Sequence, residues 1–555
     1  MSSTVADYFH LLAGNIASST FSLRAVRDET VEHIDRAAFA RLCRIAADAV
    51  RAAGVRPKET VLLFLSHDRH ILPLFFGIQW AGAIPSFMPP LSPRQDPEGY
   101  RKSHQALIRH INPALIIADE GVVNILGGDH KIPMRGVHEL LRSSHSEWLE
   151  PPDIDLDDIA LLQHSSGTTG LKKGIALTYR SILAHVDSLH AALQISGNES
   201  IVTWLPVYHD MGLLACTVVP FVLGLPVVSM NPFEWMAKPH RILELAAQFD
   251  NSLIWLPNFA FNHLVRFARR LPERVRLDGV KAFINCSEPC KVATFDLFYA
   301  TFAARGVTHQ QLQTCYGMAE NVFAATHSTL NAVAPRVAVD ALRLQHHGVA
   351  VAPAQGADTS TFLSCGRAID GVRIEVRNAG GVALPEGHVG EVCVTGSSLF
   401  DGYFRQPALT ARRVRDGWYH SHDLGFRLGG ELYICGRMDD LIIVAGRNLY
   451  AHDIEACVTC IDGVRPGRSV AFGVSNDVTG TEDLIVLVET AQPDDTHKQL
   501  QHDIRTVLSD EILLVPSVVL VLEPDTLIKT TSGKISRDEN RNRYLQGNLI
   551  SWGRV

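Results

Sequence analysis

The chain of 555 residues lacks several features that would assign it at once to a functional class. It has no long run of lysine and arginine, and its net charge of −8 offers no general attraction to nucleic acid or to an anionic membrane. Its most apolar stretch, residues 71–90, is broken by prolines and glycines. We therefore expect a buried helix and strand there and no stable membrane insertion. Since the N-terminus also lacks the basic start and apolar core of a secretory signal, we expect a cytoplasmic protein.

Cysteine patterns and the two commonest nucleotide signatures are missing as well. The ten cysteines have no disulfide-framework spacing, and the pair Cys457-Val458-Thr459-Cys460 has no second pair near it. We therefore expect reduced thiols and no zinc site. Neither the P-loop pattern nor Gly-x-Gly-x-x-Gly occurs, and we find no internal repeat.

The pattern that is present alternates short apolar runs with amphipathic segments, which is typical of an α/β fold with largely parallel sheets. The length suggests about three to four compact units. Strands become dense between about residues 365 and 436, which predicts a small β-rich subdomain. Polar residues 437–440 then suggest a boundary before a compact unit at 441–555. Apolar runs predict strands at 61–65, 115–118 and 201–204, and periodicity predicts helices at 34–53, 242–248 and 295–304.

A loop rich in glycine, hydroxyl groups and lysine occupies residues 165–174. It follows a predicted buried strand at 159–163 and precedes a predicted helix at 181–193. A flexible, cationic loop with many hydrogen-bond donors between strand and helix suits an anion, above all a polyphosphate. The alternative is a solvated surface turn.

This loop resembles the phosphate-binding motif of adenylate-forming enzymes, Ser/Thr-Ser-Gly-Thr-Thr-Gly-x-Pro-Lys-Gly, with Lys172 where proline is usual. That family activates carboxylates with ATP as acyl-adenylates. The resemblance implies a large N-terminal domain of parallel-sheet α/β subdomains plus a β-rich subdomain (residues 1–436), a hinge (437–440) and a small mobile C-terminal lid (441–555). It also implies that the loop binds the phosphates of ATP through Ser165, Ser166, Gly167, Thr168, Thr169, Gly170 and Lys173.

Three further segments resemble the family's motifs in the expected order. In Trp204–Leu213, His209 would line the passage between the carboxylate and ATP, although a histidine beside a turn is more often structural. In Thr314–Glu320, Tyr316 would stack on adenine, and Glu320 with Thr169 would hold Mg²⁺, which prefers oxygen ligands. The third segment is residues 285–289, where the family places a turn that binds adenine. The predicted adenine pocket therefore comprises Ser287, Glu288, Pro289, Tyr316, Gly317, Met318 and Ala319.

The ribose of ATP has its own predicted partners. Asp423 stands where the family has the aspartate of Thr-Gly-Asp-Leu, and a carboxylate can accept from both ribose hydroxyls. Ser421 and His422 replace the usual threonine and glycine, so the local backbone is expected to differ. Arg437 would also contact the ribose, and Asp439 would be the hinge residue.

Near the C-terminus, residues 528–537 resemble the motif that carries the family's catalytic lysine, here Lys534. A lysine in a basic tail is usually only solvated. Seven motifs in the correct order over about 370 residues outweigh that reading. No general base is needed, because a carboxylate is already ionised at neutral pH.

The resemblance extends to the fatty acyl-AMP ligases, which pass the acyl group to the phosphopantetheine thiol of an acyl carrier protein. That branch carries an insertion that restrains the C-terminal domain, for which residues 333–362 are a candidate; the alternative is an ordinary loop. Trp255, Leu256, Phe259 and Phe261 would line an acyl tunnel or belong to the core. No carrier attachment motif occurs, so the carrier would be a separate protein. An acyl-CoA synthetase and a non-catalytic nucleotide-binding paralogue are the alternatives.

Overall fold

The structure is a computed structural model that describes most of the chain. The described residues are 21–27, 30–91, 97–126, 132–143, 153–164, 173–444, 447–476, 481–512, 514–529 and 535–549. Most of the predicted phosphate loop (165–172) and the predicted catalytic lysine, Lys534, lie outside them.

The largest sheet has nine strands within the described residues, and its six central strands are parallel. The predicted α/β class with parallel sheets is confirmed. In spatial order the strands are Arg367–Ala368, Ala324–His327, Leu312–Gly317, Val280–Asn285, Ser252–Leu256, Ser200–Thr203, Val227–Met230, Ser22–Arg27 and Thr30–Asp35.

Two smaller sheets complete this part of the fold. One is entirely parallel, and the other is antiparallel and holds the strands on either side of the predicted phosphate loop. The parallel sheet runs Ile84–Phe87, Thr60–Phe64, Leu115–Ala118 and Met134–Gly136. The antiparallel sheet runs Gly402–Tyr403, Gly174–Thr178 and Ile159–His164.

Helices pack on these sheets with apolar faces inward. Arg36–Ala52 begins at Asp35, whose carboxylate accepts from the Ala38 N–H at 2.8 Å. It packs closely on Ile71–Trp80, since a Cβ on Gly77 would lie 2.6 Å from the Ala46 Cβ. The other α-helices up to residue 413 are Pro97–Ile111, Glu120–Leu126, Val137–Arg142, Tyr179–Ala192, Val219–Leu223, Pro232–Ala237, Arg241–Ala246, Asn258–Arg266, Val292–Phe302, Ala341–His347 and Pro407–Arg413. Met211–Val218 is a π-helix, and short 3₁₀ turns occur at Ala268–Arg270, Ala303–Arg305, His309–Gln311 and Ala319–Asn321.

The region predicted to be rich in strands contains a five-stranded antiparallel sheet in the described part of the chain. Its strands are Val372–Arg377, Gly390–Gly396, Val414–Arg415, Trp418–Leu428 and Glu431–Arg437. A hairpin of Arg336–Asp340 and Thr359–Leu363, joined through the helix Ala341–His347, precedes it inside the candidate insertion.

Beyond residue 437 the chain forms further elements around cores of their own. A 3₁₀ turn, Met438–Asp440, lies where the hinge is predicted. The residues of two apolar cores, from Ile442 to Val521 and from Val470 to Leu549, all follow this turn. The strands are Leu441–Val444, Arg447–Tyr450, Ser469–Asn476, Thr481–Glu489 and Val518–Leu522, and the helices are Ala451–Thr459, Asp494–Thr496 (3₁₀), His497–Ile512 and Arg537–Leu545.

Two remaining features concern the cysteines and the apolarity of the helices. All ten cysteines lie in the described residues and are free thiols. Within the same ranges, none of the helices combines the length and apolarity needed to cross a bilayer.

Candidate active site

Four neighbouring parallel strands of the large sheet end at one edge, and each is followed by a segment that the sequence singled out. Strand Ser200–Thr203 leads to His209, Ser252–Leu256 to Phe259, and Val280–Asn285 to Ser287, while Leu312–Gly317 carries Tyr316 as its last residue but one. The carboxyl ends of parallel strands are the usual place for ligand binding in α/β sheets. The topology therefore gathers these segments from about 120 positions of sequence along one edge.

Two of the predicted nucleotide-binding residues, Tyr316 and Arg437, both contact a third, Asp423. The Tyr316 hydroxyl donates to Asp423 Oδ2 at 2.6 Å, and Arg437 Nε lies 3.6 Å from Asp423 Oδ1. Asp423 and Arg437 are cross-strand partners in the five-stranded sheet, and the large sheet supplies Tyr316. Burial, reinforced by Asp423, raises the pKa of Tyr316 well above its usual value, so its phenol stays a donor at neutral pH.

The residues that depart from the family motif support Asp423 directly. The Ser421 hydroxyl accepts from the Asp423 N–H at 3.0 Å and donates to the Val392 carbonyl at 2.6 Å. His422 has a φ of +63°, in the left-handed region that favours glycine. Its N–H donates to Glu391 Oε1 at 3.0 Å, which holds this strained conformation in place. Glycine adopts this left-handed angle without steric cost, whereas here a histidine carries it.

The predicted metal-binding carboxylate, Glu320, lies beside the predicted phosphate-binding lysine. Glu320 is buried in the turn Ala319–Asn321, where its Oε1 accepts from the Tyr403 hydroxyl at 2.8 Å. Lys173 Nζ lies 5.7 Å from the centre of the Tyr403 ring. Burial and then Arg413 lower the pKa of Lys173, while Glu320 opposes that change. A carboxylate and a lysine therefore lie against the same tyrosine side chain.

The predicted Mg²⁺ fits this arrangement as far as the described residues define it. A carboxylate offers the hard oxygen that Mg²⁺ prefers, and Mg²⁺ is commonly bound through one or two carboxylates plus substrate phosphates. The Glu320 carboxylate has hydrogen bonds with two phenols, those of Tyr403 and Tyr419. Its two oxygens offer about four acceptor positions, so lone pairs remain for a metal ion. Thr169, the second predicted ligand, lies outside the described residues.

His209 occupies a tight turn immediately before the π-helix. Its N–H donates to the Pro206 carbonyl at 3.1 Å, and its own carbonyl accepts from the Leu213 N–H at 2.8 Å. A Cβ on Gly212 would lie 2.3 Å from the Pro206 oxygen, so only glycine permits this close approach. π-Helical turns are rare and often occur at functional sites.

The predicted adenine turn is linked to both neighbouring segments. Ser287 has a φ of +70°, and its hydroxyl lies 3.6 Å from the Met211 sulfur. Glu288 Oε2 accepts from the Phe259 N–H at 2.8 Å. Pro289 is exposed. Gly317 of the second adenine segment allows a turn in which a Cβ would come within 2.5 Å of the Phe323 carbonyl oxygen. The next two residues, Met318 and Ala319, continue this turn toward Glu320.

The remaining predicted residues divide into three groups. Ser165, Ser166, Gly167, Thr168, Thr169, Gly170 and Lys534 lie outside the described residues. Of the four proposed tunnel residues, Trp255, Leu256 and Phe261 are buried in the core, and only Phe259 is exposed. Sequence reasoning missed Tyr403 and Glu391, which touch Glu320 and His422. Neither belonged to a motif that we recognised, so only tertiary contact identifies them.

The family of AMP-binding enzymes matches residues 18–404 of this chain. The chain belongs to the AMP-binding enzyme family. The predicted resemblance and the predicted enzyme class, a ligase of adenylate-forming type, are confirmed.

Relatives within the AMP-binding enzymes agree with the fatty-acid branch. A medium-chain-fatty-acid–[acyl-carrier-protein] ligase, JamA of Moorena producens, is 28% identical over 519 residues, covering 89% of this chain and 87% of that protein. A protein of Caulobacter vibrioides provisionally named acyl-CoA synthetase is 28% identical over 535 residues, covering 95% and 93%. A solved structure from a study of the fatty acyl-adenylate ligases of E. coli and L. pneumophila has a TM-score of 0.88 at 25% identity, covering 98% of this chain and 97% of that one.

Proposed function

We propose that the protein activates a fatty acid with ATP to an acyl-adenylate and then transfers the acyl group to a separate acyl carrier protein. The observation that carries the proposal is the contact of Tyr316, Asp423 and Arg437, three nucleotide-binding residues predicted from separate motifs. Glu320 and Lys173 both lie against the Tyr403 side chain. In this arrangement Asp423 and Arg437 would bind the ribose of ATP, and Glu320 with Lys173 would lie near its phosphates.

In the first step a carboxylate oxygen of the fatty acid forms a bond to the α-phosphorus of ATP, and the bond to the departing pyrophosphate breaks. Two anions must approach each other, so catalysis consists of positioning and charge stabilisation. Lys534 would neutralise the carboxylate and α-phosphate oxygens. Lys173 and the preceding loop would hold the pyrophosphate. Mg²⁺ bound by Glu320 and Thr169 would supply charge neutralisation for the phosphates.

In the second step the thiol sulfur of phosphopantetheine forms a bond to the acyl carbon, and the acyl–oxygen bond to AMP breaks. The thiol proton leaves to solvent, and the products are the thioester and AMP. Asp423 and Arg437 would keep the AMP portion of the acyl-adenylate fixed while pyrophosphate leaves and the acceptor thiol enters.

The candidate insertion favours a carrier protein over coenzyme A as the acceptor. Leu344 on its helix packs in a small core with Phe426 and Tyr433. The next residue, Gln345, accepts from Arg447 Nη2 at 3.1 Å, which links the insertion to the segment after the hinge. A restraint on the C-terminal unit is what the resemblance to fatty acyl-AMP ligases implies for this insertion. The relative provisionally named acyl-CoA synthetase favours coenzyme A and keeps that acceptor as the second candidate.

The first test is ATP–pyrophosphate exchange with carboxylic acids of increasing chain length. We expect exchange with medium- or long-chain acids and a loss of about 10²–10³-fold in the Lys534→Ala variant. Lys498→Ala is the matched control, because Lys498 is an exposed lysine of the same C-terminal unit. Exchange that survives Lys534→Ala would contradict the catalytic assignment, and the absence of exchange with every acid would favour a non-catalytic paralogue.

The second test compares acceptors with the preformed acyl-adenylate. We expect thioester formation on a holo carrier protein at a much higher rate than on coenzyme A. Efficient formation of acyl-CoA would instead assign the protein as an acyl-CoA synthetase.

A further inference from the structure

Three large apolar side chains are exposed next to the predicted adenine turn. Phe233 and Met236 on the helix Pro232–Ala237 are 59% and 49% exposed, and Phe259 on the helix Asn258–Arg266 is 39% exposed. Phe259 has rigid support, since the neighbouring Trp204 and Trp235 rings stack with their centroids 3.6 Å apart and an interplanar angle of 3°. The Phe259 ring meets both indoles edge-on at 6.0 and 6.1 Å.

The two helices are joined and form one continuous surface. His263 Nε2 lies 3.2 Å from the Met236 carbonyl oxygen, and its ring lies 5.2 Å from that of Trp235. Phe259, His263 and Arg266 stand at positions i, i+4 and i+7 of their helix, so they share one face. Apolar and basic side chains therefore follow each other along this surface.

Arginines extend the surface beyond the apolar residues. Arg266, Arg269 and Arg270 are exposed, and in the described part of the chain none of them is in an ion pair. The Arg270 guanidinium lies 4.9 Å over the Phe267 ring. Arg270 also acts on His240, whose pKa is lowered first by burial and further by this arginine. The basic residues thus reach back to the segment that follows Phe233 and Met236.

Acidic side chains near this surface are fewer than the basic ones. Glu234 pairs with Arg241, and Glu244 lies 3.8 Å from His240. Glu288 accepts the Phe259 N–H. Residues 232–270 carry five lysines and arginines against three aspartates and glutamates, and Glu288 adds one more carboxylate, so the surface keeps a small positive excess on a chain whose net charge is −8. A local field opposite in sign to the whole chain attracts an acidic partner and speeds its association.

We infer that this surface, formed by Phe233, Met236, Phe259, Arg266 and Arg270, docks an acidic acyl carrier protein. The inference rests on the proposed function, because it names where the proposed acceptor binds. Continuity with the site supports it: Phe259 touches the adenine turn through Glu288, and Trp204 begins the segment that carries His209. A carrier seated here would place its thiol arm at the carboxyl edge of the sheet, beside the nucleotide. Exposed apolar residues rimmed by charge are typical of interaction surfaces.

The test is the double variant Arg266→Glu/Arg270→Glu. We expect ATP–pyrophosphate exchange within about twofold of wild type and a fall of about tenfold or more in kcat/KM for an acidic holo acyl carrier protein, because rim charges act mainly on association. Transfer to free pantetheine should be unchanged. Added salt should slow transfer to the carrier in the wild type and have little effect in the variant. Arg41→Glu/Arg56→Glu is the matched control, since it makes the same charge change at two exposed arginines of another region.

The arms of this experiment separate the two proposals. A double variant that transfers to the carrier at the wild-type rate with the wild-type salt dependence overturns the docking surface and leaves the proposed function standing. A wild type that forms the adenylate but never acylates the carrier overturns the proposed acceptor and the docking surface with it.

Phe233→Ser tests the apolar part of the surface, because Phe233 is 59% exposed and lies outside the predicted nucleotide and acyl sites. A selective loss of transfer to the carrier supports docking. A loss of adenylate formation that grows with acyl chain length would assign the apolar residues to the fatty acid instead and overturn their part in docking.

Discussion

At the scale of single residues, strained backbone angles occur next to residues that are predicted to bind the nucleotide or its metal ion. Ser287, Val322 and His422 have φ values of +70°, +61° and +63°, and they flank Glu288, Glu320 and Asp423 respectively, with Val322 two positions from Glu320. Residues other than glycine adopt such backbone angles at a cost of about 1–3 kcal/mol each, and the cost is highest for β-branched residues such as valine. Strain of this kind persists only where the surroundings hold it, and it is common at binding sites.

Two substitutions of His422 isolate the strain at that position. His422→Gly and His422→Ala both remove the imidazole, but only alanine keeps a Cβ at a φ of +63°. We expect the glycine variant to be more stable than the alanine variant by about 1 kcal/mol, because glycine adopts left-handed angles without steric cost. Thermal unfolding of the two proteins measures the difference. An alanine variant as stable as the glycine variant would contradict the strain.

A buried histidine makes the stability of the protein sensitive to acid. His185 is fully buried, its Nε2 accepts from the Ala324 N–H at 3.4 Å, and burial lowers its pKa to about 3. Below pH about 6.5 the unfolded chain takes up this proton and the folded chain does not, so the free energy of unfolding falls by about 1.4 kcal/mol per pH unit until about pH 3.

We therefore expect His185→Gln, which keeps an acceptor but does not titrate, to lose less stability than the wild type between pH 7.5 and pH 5. His190→Gln is the matched control, because His190 is exposed on the same helix. The measurement is the unfolding temperature at both pH values. Wild-type and His185→Gln curves that fall in parallel would show that this histidine is not responsible.

At the scale of secondary-structure elements, periodicity predicted which segments are helices and strands but not their ends. The helix predicted at 34–53 spans Arg36–Ala52, and the one predicted at 295–304 spans Val292–Phe302. Capping explains the first shift, since Asp35 ends the preceding strand and caps the helix. The motifs located Asp423, Tyr316 and Glu320, whereas Tyr403 is brought to Glu320 by the pairing of Gly402–Tyr403 with Gly174–Thr178. Pairing between strands so far apart in sequence leaves no local signal.

The junction between the His209 turn and the π-helix provides a prediction for an element. Gly212→Ala would put a Cβ 2.3 Å from the Pro206 oxygen, so the turn and the helix would have to separate. We expect a loss of about 1–3 kcal/mol of stability together with a lower rate of adenylate formation, because His209 would move with the turn. Unfolding and exchange assays measure both effects.

Gly121→Ala is the control for that substitution. Gly121 lies in the helix Glu120–Leu126, and a Cβ there meets no atom within 4 Å. We expect a gain of about 0.5–1 kcal/mol, because alanine favours the helix over glycine. If Gly212→Ala behaves like Gly121→Ala, the close approach to Pro206 is not needed.

At the scale of the whole molecule, charged contacts connect the nucleotide site to the C-terminal unit through the predicted hinge. Arg437 lies 3.6 Å from Asp423 and 3.9 Å from Asp439, and the neighbouring Asp440 pairs with Arg537 at 2.5 Å. His422 Nδ1 also approaches Asp439 Oδ1 at 3.5 Å. The motifs identified Asp423, Arg437 and Asp439 as functional residues. Which charged side chains pair with each other near the hinge depends on tertiary packing, and the motifs do not specify that.

Arg537 carries the last link of this chain of contacts and yields a prediction for the whole protein. Its guanidinium donates to Glu455 Oε1 at 2.8 Å and to the Ala471 carbonyl at 2.9 Å, besides pairing with Asp440. Only 16% of the Arg537 side chain is exposed. Replacing it with methionine would leave two largely buried carboxylates without their cation, which we expect to cost about 1–3 kcal/mol.

The loss should fall on the C-terminal unit, because Glu455 and Ala471 belong to it and Asp440 belongs to the hinge. We therefore expect Arg537→Met to increase proteolytic cleavage after residue 437 and to slow adenylate formation, with less effect on protection of the preceding residues. Arg180→Met is the matched control: it removes an arginine with two contacts to Asp157, but 55% of Arg180 is exposed, so water replaces the pair at little cost. Equal protease resistance in the two variants would mean that Arg537 does not fasten the hinge to the C-terminal unit.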